Sequence, residues 1–154
     1  MDKLHKTAKN IITLITSNFD MNIRVRHSHE NSADYEHSII RLNLRDDEDF
    51  GFMRNLREQH NCRLDCISPM MWTILHEIGH FMTIDEIPEA DYEEALETKA
   101  LLAIYGDKIK TNTILQDVYF STETEWQATE WAISYTRKHY VMVLEFSKCL
   151  EALR

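Results

Sequence analysis

Residues 68–83 read SPMMWTILHEIGHFMT, the most informative stretch of this chain. Ser68 is a capping residue and Pro69 suits the first helical position, so the pattern predicts a helix that begins here and ends near Thr83. Its apolar residues fall on one arc of about 120°, which should face a core. They are Met71, Ile74, Leu75, Ile78, Phe81 and Met82.

The other face of this helix carries His76 and His80 in the pattern HExxH. At 3.6 residues per turn the two histidines stand about 40° apart, so both imidazoles can reach one cation. Glu77 lies about 60° beyond His80, where a carboxylate can take a proton from a water molecule that the cation activates. Zn²⁺ suits two imidazoles and a carboxylate, with one position left for water. Gly79 flanks His76, where a side chain would crowd a metal or a substrate.

A third ligand is expected from a second helix, predicted over residues 122–138. Glu125 is the strongest candidate because small residues share its face and would let the two helices approach closely; they are Ala128, Ala132 and Thr136. Glu123 and Glu130 instead fall on the opposite, solvent-facing side. The predicted ligands of a single Zn²⁺ ion are therefore His76, His80 and Glu125.

The remaining patterns predict an α+β fold that is mostly helical, in one domain covering residues 1–154. Further helices are predicted at residues 2–17, 47–60, 88–105 and 140–152. Residues 22–27 and 38–44 alternate as short strands, which could form one hairpin around the polar segment 29–36. Residues 38–44 are a candidate edge strand, to which a peptide substrate could add, and equally a candidate core strand.

Composition narrows the possible partners. The chain has 154 residues, 44% of them hydrophobic, and a formal charge of -9, as in a soluble globular domain. The negative charge repels phosphate backbones and anionic membrane surfaces, so neither nucleic acid nor a membrane is expected as a partner. Most of the acidity lies in residues 46–49 and 85–97, interpreted as solvated faces.

The location inside a cell is predicted from three further observations. No apolar run approaches the roughly 20 residues of a membrane-spanning helix. The polar N-terminal stretch gives no indication of a signal peptide. Cys62, Cys66 and Cys149 are too few for a disulfide framework, which favours reduced thiols and the cytoplasm.

The two helical motifs together resemble the ImmA/IrrE family of zinc metallopeptidases. That family pairs TxxHExGH, here residues 73–80, with a later ExxAxxFA helix, here residues 125–132 with Trp131 in place of the phenylalanine. The resemblance implies a zincin-like fold of the gluzincin type, in which a small sheet packs on the HExxH helix and on the glutamate-bearing helix. It also implies a zinc endopeptidase that cleaves an intracellular protein, often a regulator or repressor.

Several histidines and one tyrosine are secondary candidates. Tyr135 and His139 could stabilise the oxyanion that forms when water attacks a peptide carbonyl, although packing between helices is the simpler interpretation of both. His27 and His29 could form a second metal pair, but an exposed strand end is the simpler interpretation. Three histidines have no predicted partner: His5, His37 and His60.

Two alternative functions remain open, as does the choice between zinc and another divalent ion. One is a non-catalytic regulatory or decoy protein that binds a protein partner through the acidic residues 85–97, with zinc only structural. The other is peptide deformylase, which also uses HExxH and takes a cysteine ligand from an EGCLS segment. Cys62 and Cys66 lack those neighbours, which disfavours it.

Overall fold

The structure, a computed structural model, describes residues 2–44 and 51–154. Within these ranges the chain has an α+β fold dominated by helices, as predicted. The helices are α1 (Lys3–Ser17), α2 (Phe52–Glu58), α3 (Pro69–Thr83), α4 (Glu89–Leu102), α5 (Thr113–Phe120), α6 (Glu123–Lys138) and α7 (Tyr140–Glu151). The strands are β1 (Arg24–His27), β2 (Ser32–Asp34) and β3 (Ile39–Leu42), and 3-10 turns cover Ile84–Glu86 and Ala103–Thr111.

The sheet has the order β1-β3-β2, with β1 parallel and β2 antiparallel to β3. The predicted hairpin between the first and last of these strands is therefore wrong, because the polar segment between them contributes a strand of its own. The hairpin joins β2 to β3 instead. Of the two interpretations of residues 38–44, the core strand is confirmed and the edge strand is wrong for the same reason: β3 is central, and β2 is an edge of the sheet.

Most helix boundaries follow the sequence signals. The Ser68 hydroxyl accepts a hydrogen bond from the amide of Met71 and caps α3, as its position predicts. The helix predicted to run to residue 105 ends earlier, at Leu102, and Gly106 lies in the 3-10 turn that follows, with a φ of 52°. The start of the helix predicted at 47–60, and the acidic residues 46–49, lie outside the described residues.

Helix α3 is enclosed because α6 packs along its polar side. Ala128 and Ala132 of α6 are fully buried, which confirms that small residues let the two helices approach closely. A Cβ atom at Gly79 would lie 2.4 Å from the carbonyl oxygen of Ala128. The space beside Gly79 is thus filled by the backbone of α6, and the expectation that it makes room for a metal or a substrate is wrong.

The opposite side of α3 faces the hydrophobic core. Four of its predicted core residues are fully buried: Met71, Ile74, Leu75 and Ile78. Phe81 and Met82 are half-buried and pack against the same core. Among the described residues, no helix combines the length and apolar character that crossing a membrane would need.

Candidate metal centre

The three predicted ligands meet between α3 and α6. Oε2 of Glu125 lies 2.5 Å from Nε2 of His76 and 3.0 Å from Nε2 of His80. The side chains are 3%, 8% and 7% exposed, respectively, so bulk water screens these contacts little. The helix spacing that places His76 and His80 on one face, and the small residues of α6, thus bring the three groups together.

Thr129 determines which nitrogen of His76 carries the proton. Its hydroxyl lies 3.0 Å from the carbonyl oxygen of Glu125, one helical turn earlier, and 3.0 Å from Nδ1 of His76. A hydroxyl has one proton, and a backbone carbonyl can only accept, so Thr129 donates to Glu125 and accepts from His76. Nδ1 of His76 is therefore protonated, and in the neutral ring the lone pair of Nε2 faces Glu125.

Either a proton or a metal ion between the two groups satisfies this arrangement. The lone pair on Nε2 of His76 and the carboxylate of Glu125 would repel each other unless a proton or a metal ion lay between them. A tetrahedral ion with bonds of about 2.1 Å separates its ligand atoms by about 3.4 Å. An outward movement of Glu125 by less than about 1 Å would make room for such an ion, and the donors are of the types that Zn²⁺ binds.

Glu77 stands beside this group with an unused oxygen. It is 5% exposed, and its Oε2 has no hydrogen-bond partner among the described residues. Burial raises the pKa of the Glu77 carboxyl to about 7, although His76 acts to lower it. Glu77, His76 and His80 each offer a ligand atom within 4.8 Å of the others. Glu125 is the better candidate for a third ligand, because its oxygen contacts both imidazoles.

The charge balance at Glu125 favours the ionised form. Burial alone would raise the pKa of its carboxyl, but His80 and His76 together hold that pKa well below its ordinary range. An ionised carboxylate is the form that binds a metal ion.

Helices α4 and α5 add two residues that sequence analysis missed. Nζ of Lys99 lies 2.8 Å from Oε1 of Glu125, and it sits 5.4 Å from the centre of the Tyr119 ring. Burial raises the pKa of Tyr119 well above its usual value, so its hydroxyl stays protonated and can donate to Glu125. One feature of the sequence indicates a special role for Lys99: it is the single Lys, Arg or His between Asp85 and Asp107.

Two cavities flank Glu77. One, of about 500 Å³, is largely apolar and is lined in part by Phe52, Leu102, Ile109 and Phe120. The other, of about 540 Å³, is lined by all of β2 and by His80, Tyr35 and Tyr92. Lys99 and Tyr119 line both. An extended molecule could therefore pass over the Glu77 carboxyl with an edge strand alongside it.

The candidate oxyanion donors lie in an aromatic cluster. The Tyr135 ring stacks on Trp131 at 4.9 Å and contacts His139 at 4.5 Å. Phe19 of the loop after α1 completes this cluster. Neither Tyr135 nor His139 is among the described residues that line the two cavities beside Glu77.

The remaining histidines and the cysteines are not among the groups that meet at Glu125. His27 and His29 are exposed at the end of β1, and no metal-binding group among the described residues includes them. His60, without a predicted partner, stacks on Trp126 at 3.9 Å and contacts Glu130 at 3.0 Å. His37 likewise has a partner, Asp34. The three cysteines are free thiols, as the sequence predicts.

Comparisons with protein families, with curated proteins and with solved structures give no match to this chain.

Proposed function

We propose that this protein is a zinc-dependent endopeptidase. His76, His80 and Glu125 would hold one Zn²⁺ ion, and Glu77 would act as the general base. The observation that carries the proposal is the convergence of two imidazole nitrogens and a carboxylate oxygen in a buried site. Beside them lies the Glu77 carboxylate, whose Oε2 has no hydrogen-bond partner among the described residues. A structural site would close its coordination with protein ligands, whereas this one opens on two cavities.

The chemistry of the site divides between the ion and the chain. When bound, Zn²⁺ would polarise a peptide carbonyl and lower the pKa of water to about 7. Glu77 would take the proton of the attacking water and return it to the leaving amine.

The substrate we propose is a protein segment in extended conformation. It would add to the edge of β2 that pairs with no other described strand, and β2 lines the cavity beside His80. For the oxyanion we would test Tyr119 first, since its hydroxyl stays protonated and it lines both cavities, ahead of Tyr135 and His139. The ImmA/IrrE-like motifs support an intracellular substrate, such as a regulator or repressor, and a cytoplasmic location.

Metal analysis of three purified proteins tests this proposal. We expect one equivalent of zinc in the unmodified protein and in Glu77→Gln. Of these two, the unmodified protein should cleave an unstructured protein such as casein, and Glu77→Gln should not. Glu125→Ala should take up little zinc, because it removes a ligand. Glu123→Ala, on the same helix, and Glu145→Gln, on α7, are the matched controls and should behave like the unmodified protein.

Three other results would each contradict a different part of this proposal. If the unmodified protein takes up no zinc on titration, the metal site is refuted. If zinc binds but Glu77→Gln cleaves as fast as the unmodified protein, Glu77 is not the base. If zinc binds and none of the proteins cleaves casein or a peptide library, the peptidase assignment falls and a structural ion is left.

A second candidate function is a regulatory protein that binds a basic partner. Its support is the exposure of acidic side chains on α4 and just before it: Asp85, Glu86, Glu89, Glu93, Glu94 and Glu97. This function predicts that Glu77→Gln leaves the biological effect intact, and that reversing several of these charges abolishes it. The peptidase function predicts the opposite: Glu77→Gln abolishes the biological effect, and reversing these charges leaves it intact.

A further inference from the structure

Lys99 is the one residue of α4 whose charge is directed at the metal site. Its neighbours in sequence on both sides are acidic or uncharged, and its side chain is 28% exposed. Instead of pairing with an acidic residue of its own helix, it reaches Oε1 of Glu125 on α6, at 2.8 Å. This distance is typical of a charge-assisted hydrogen bond, which is stronger than a neutral one.

The two oxygens of Glu125 have separate partners. Oε2 faces the imidazoles of His76 and His80, and Oε1 faces the ammonium group of Lys99. A carboxylate can bind a metal through one oxygen or through both. The contact with Lys99 occupies the oxygen that binding through both would require.

We propose that Lys99 is a positioning residue that restricts Glu125 to one metal-facing oxygen and so keeps a coordination position free for water. This inference rests on the metal site proposed above. Without the ammonium group, Oε1 loses its charged partner and can turn toward the ion, and the carboxylate then fills the position that water needs. Metal remains bound under these conditions, while turnover falls.

Contacts with α5 and α6 hold Lys99 in place beside Glu125. The Lys99 ammonium group lies over the ring of Tyr119 on α5, so the Lys99 side chain is placed between two helices. Helix α4 also packs against α6, which carries Glu125. The restriction on Glu125 thus comes from a different helix than the one that bears it.

The test replaces zinc by Co²⁺, whose visible absorption reports the number of ligands around the ion. We compare the unmodified protein with Lys99→Met, with Lys99→Arg, which keeps the charge, and with Lys148→Met, a control at an exposed surface pair. Each is loaded with one equivalent of Co²⁺, and folding is checked by circular dichroism. Turnover of a peptide substrate is measured on the zinc forms.

For Lys99→Met we expect full metal uptake, a weaker visible band that marks a higher coordination number, and turnover lower by about 10–100-fold. Lys99→Arg should keep the band of the unmodified protein, as should Lys148→Met. An unchanged band in Lys99→Met would overturn the proposal, whatever its turnover. If Lys99→Met fails to fold, the same change of band in Lys99→Gln supports the proposal and its absence overturns it.

Failure of the proposed function would be visible separately. If the unmodified protein binds Co²⁺ and cleaves nothing, the peptidase assignment fails, and the cobalt band still decides the role of Lys99. If the unmodified protein binds no metal, both the function and this inference are refuted.

Discussion

At the scale of the residue, Thr129 determines which ring nitrogen of His76 would be available to bind a metal. Its hydroxyl donates to the backbone of its own helix and leaves only a lone pair for Nδ1 of His76. The other ring nitrogen is thereby available as a ligand. Second partners of this kind orient metal-binding histidines and fix their tautomer.

Thr129→Val should weaken zinc binding by about 10–100-fold. Valine has the shape of threonine but no hydroxyl, so Nδ1 of His76 would be buried without a partner. Competition with a zinc-binding dye measures the change. Thr129→Ser keeps the hydroxyl and should bind almost normally; equal affinities in the valine and serine variants would show that the hydroxyl plays no part.

Sequence patterns could predict some of these residues and not others. His76, Glu77 and His80 follow from the period of one helix, and Glu125 from the small residues on its own face. Thr129 lies four positions after Glu125 on the same face, so its role could have been predicted. The role of Lys99 depends on how α4 packs against α6. The sequence period of either helix alone does not predict that packing.

At the scale of the element, the close contact between α3 and α6 leaves no space for a side chain at position 79, which is Gly79. Gly79→Ala should destabilise the protein by about 1–3 kcal/mol through overpacking, offset in part by the roughly 1 kcal/mol that alanine gains in helix propensity. The obstructing atom is the carbonyl oxygen of Ala128, so only movement of a whole helix can relieve the clash. Urea unfolding measures the loss.

Adding Ala128→Gly to this variant is the control, and it should restore nothing, because the carbonyl oxygen stays in place. A Gly79→Ala protein as stable as the unmodified one would mean that the two helices lie farther apart than the structure has them.

The short elements were the hardest to predict. Residues 32–34 read SAD, without the β-branched or aromatic residues that mark a strand, and β2 exists because β3 offers it backbone partners. Helix α5 has eight residues and was not predicted. It is too short for a helical period to stand out. Long amphipathic helices such as α1 and α3 were predicted closely.

At the scale of the whole molecule, a bound ion would connect elements that are distant in the chain. The ligands come from α3 and α6, and the groups around them from α4 and α5. Zinc at 100 times its Kd should stabilise the folded state by about 2.7 kcal/mol. For a domain of this size that corresponds to a rise in Tm of about 5–10 °C.

Calorimetry with and without zinc measures this rise, and Glu125→Ala is the control, since it should show little of it. An equal rise in both proteins would mean that zinc stabilises the fold from some other place. The α+β class was predicted correctly from the excess of helical patterns, whereas the order of the sheet was not, because pairing between strands depends on contacts across the chain.

The separation of the ligands along the chain has a consequence for synthesis. His76 and Glu125 are 49 positions apart, and Lys99 lies between them. A ribosome therefore makes both imidazoles and Glu77 before it makes the carboxylate of Glu125. The nascent chain carries an unfinished centre until α6 docks on α3. If the protein is the peptidase proposed above, it can therefore cut no peptide bond until most of its chain has been made and α6 has docked.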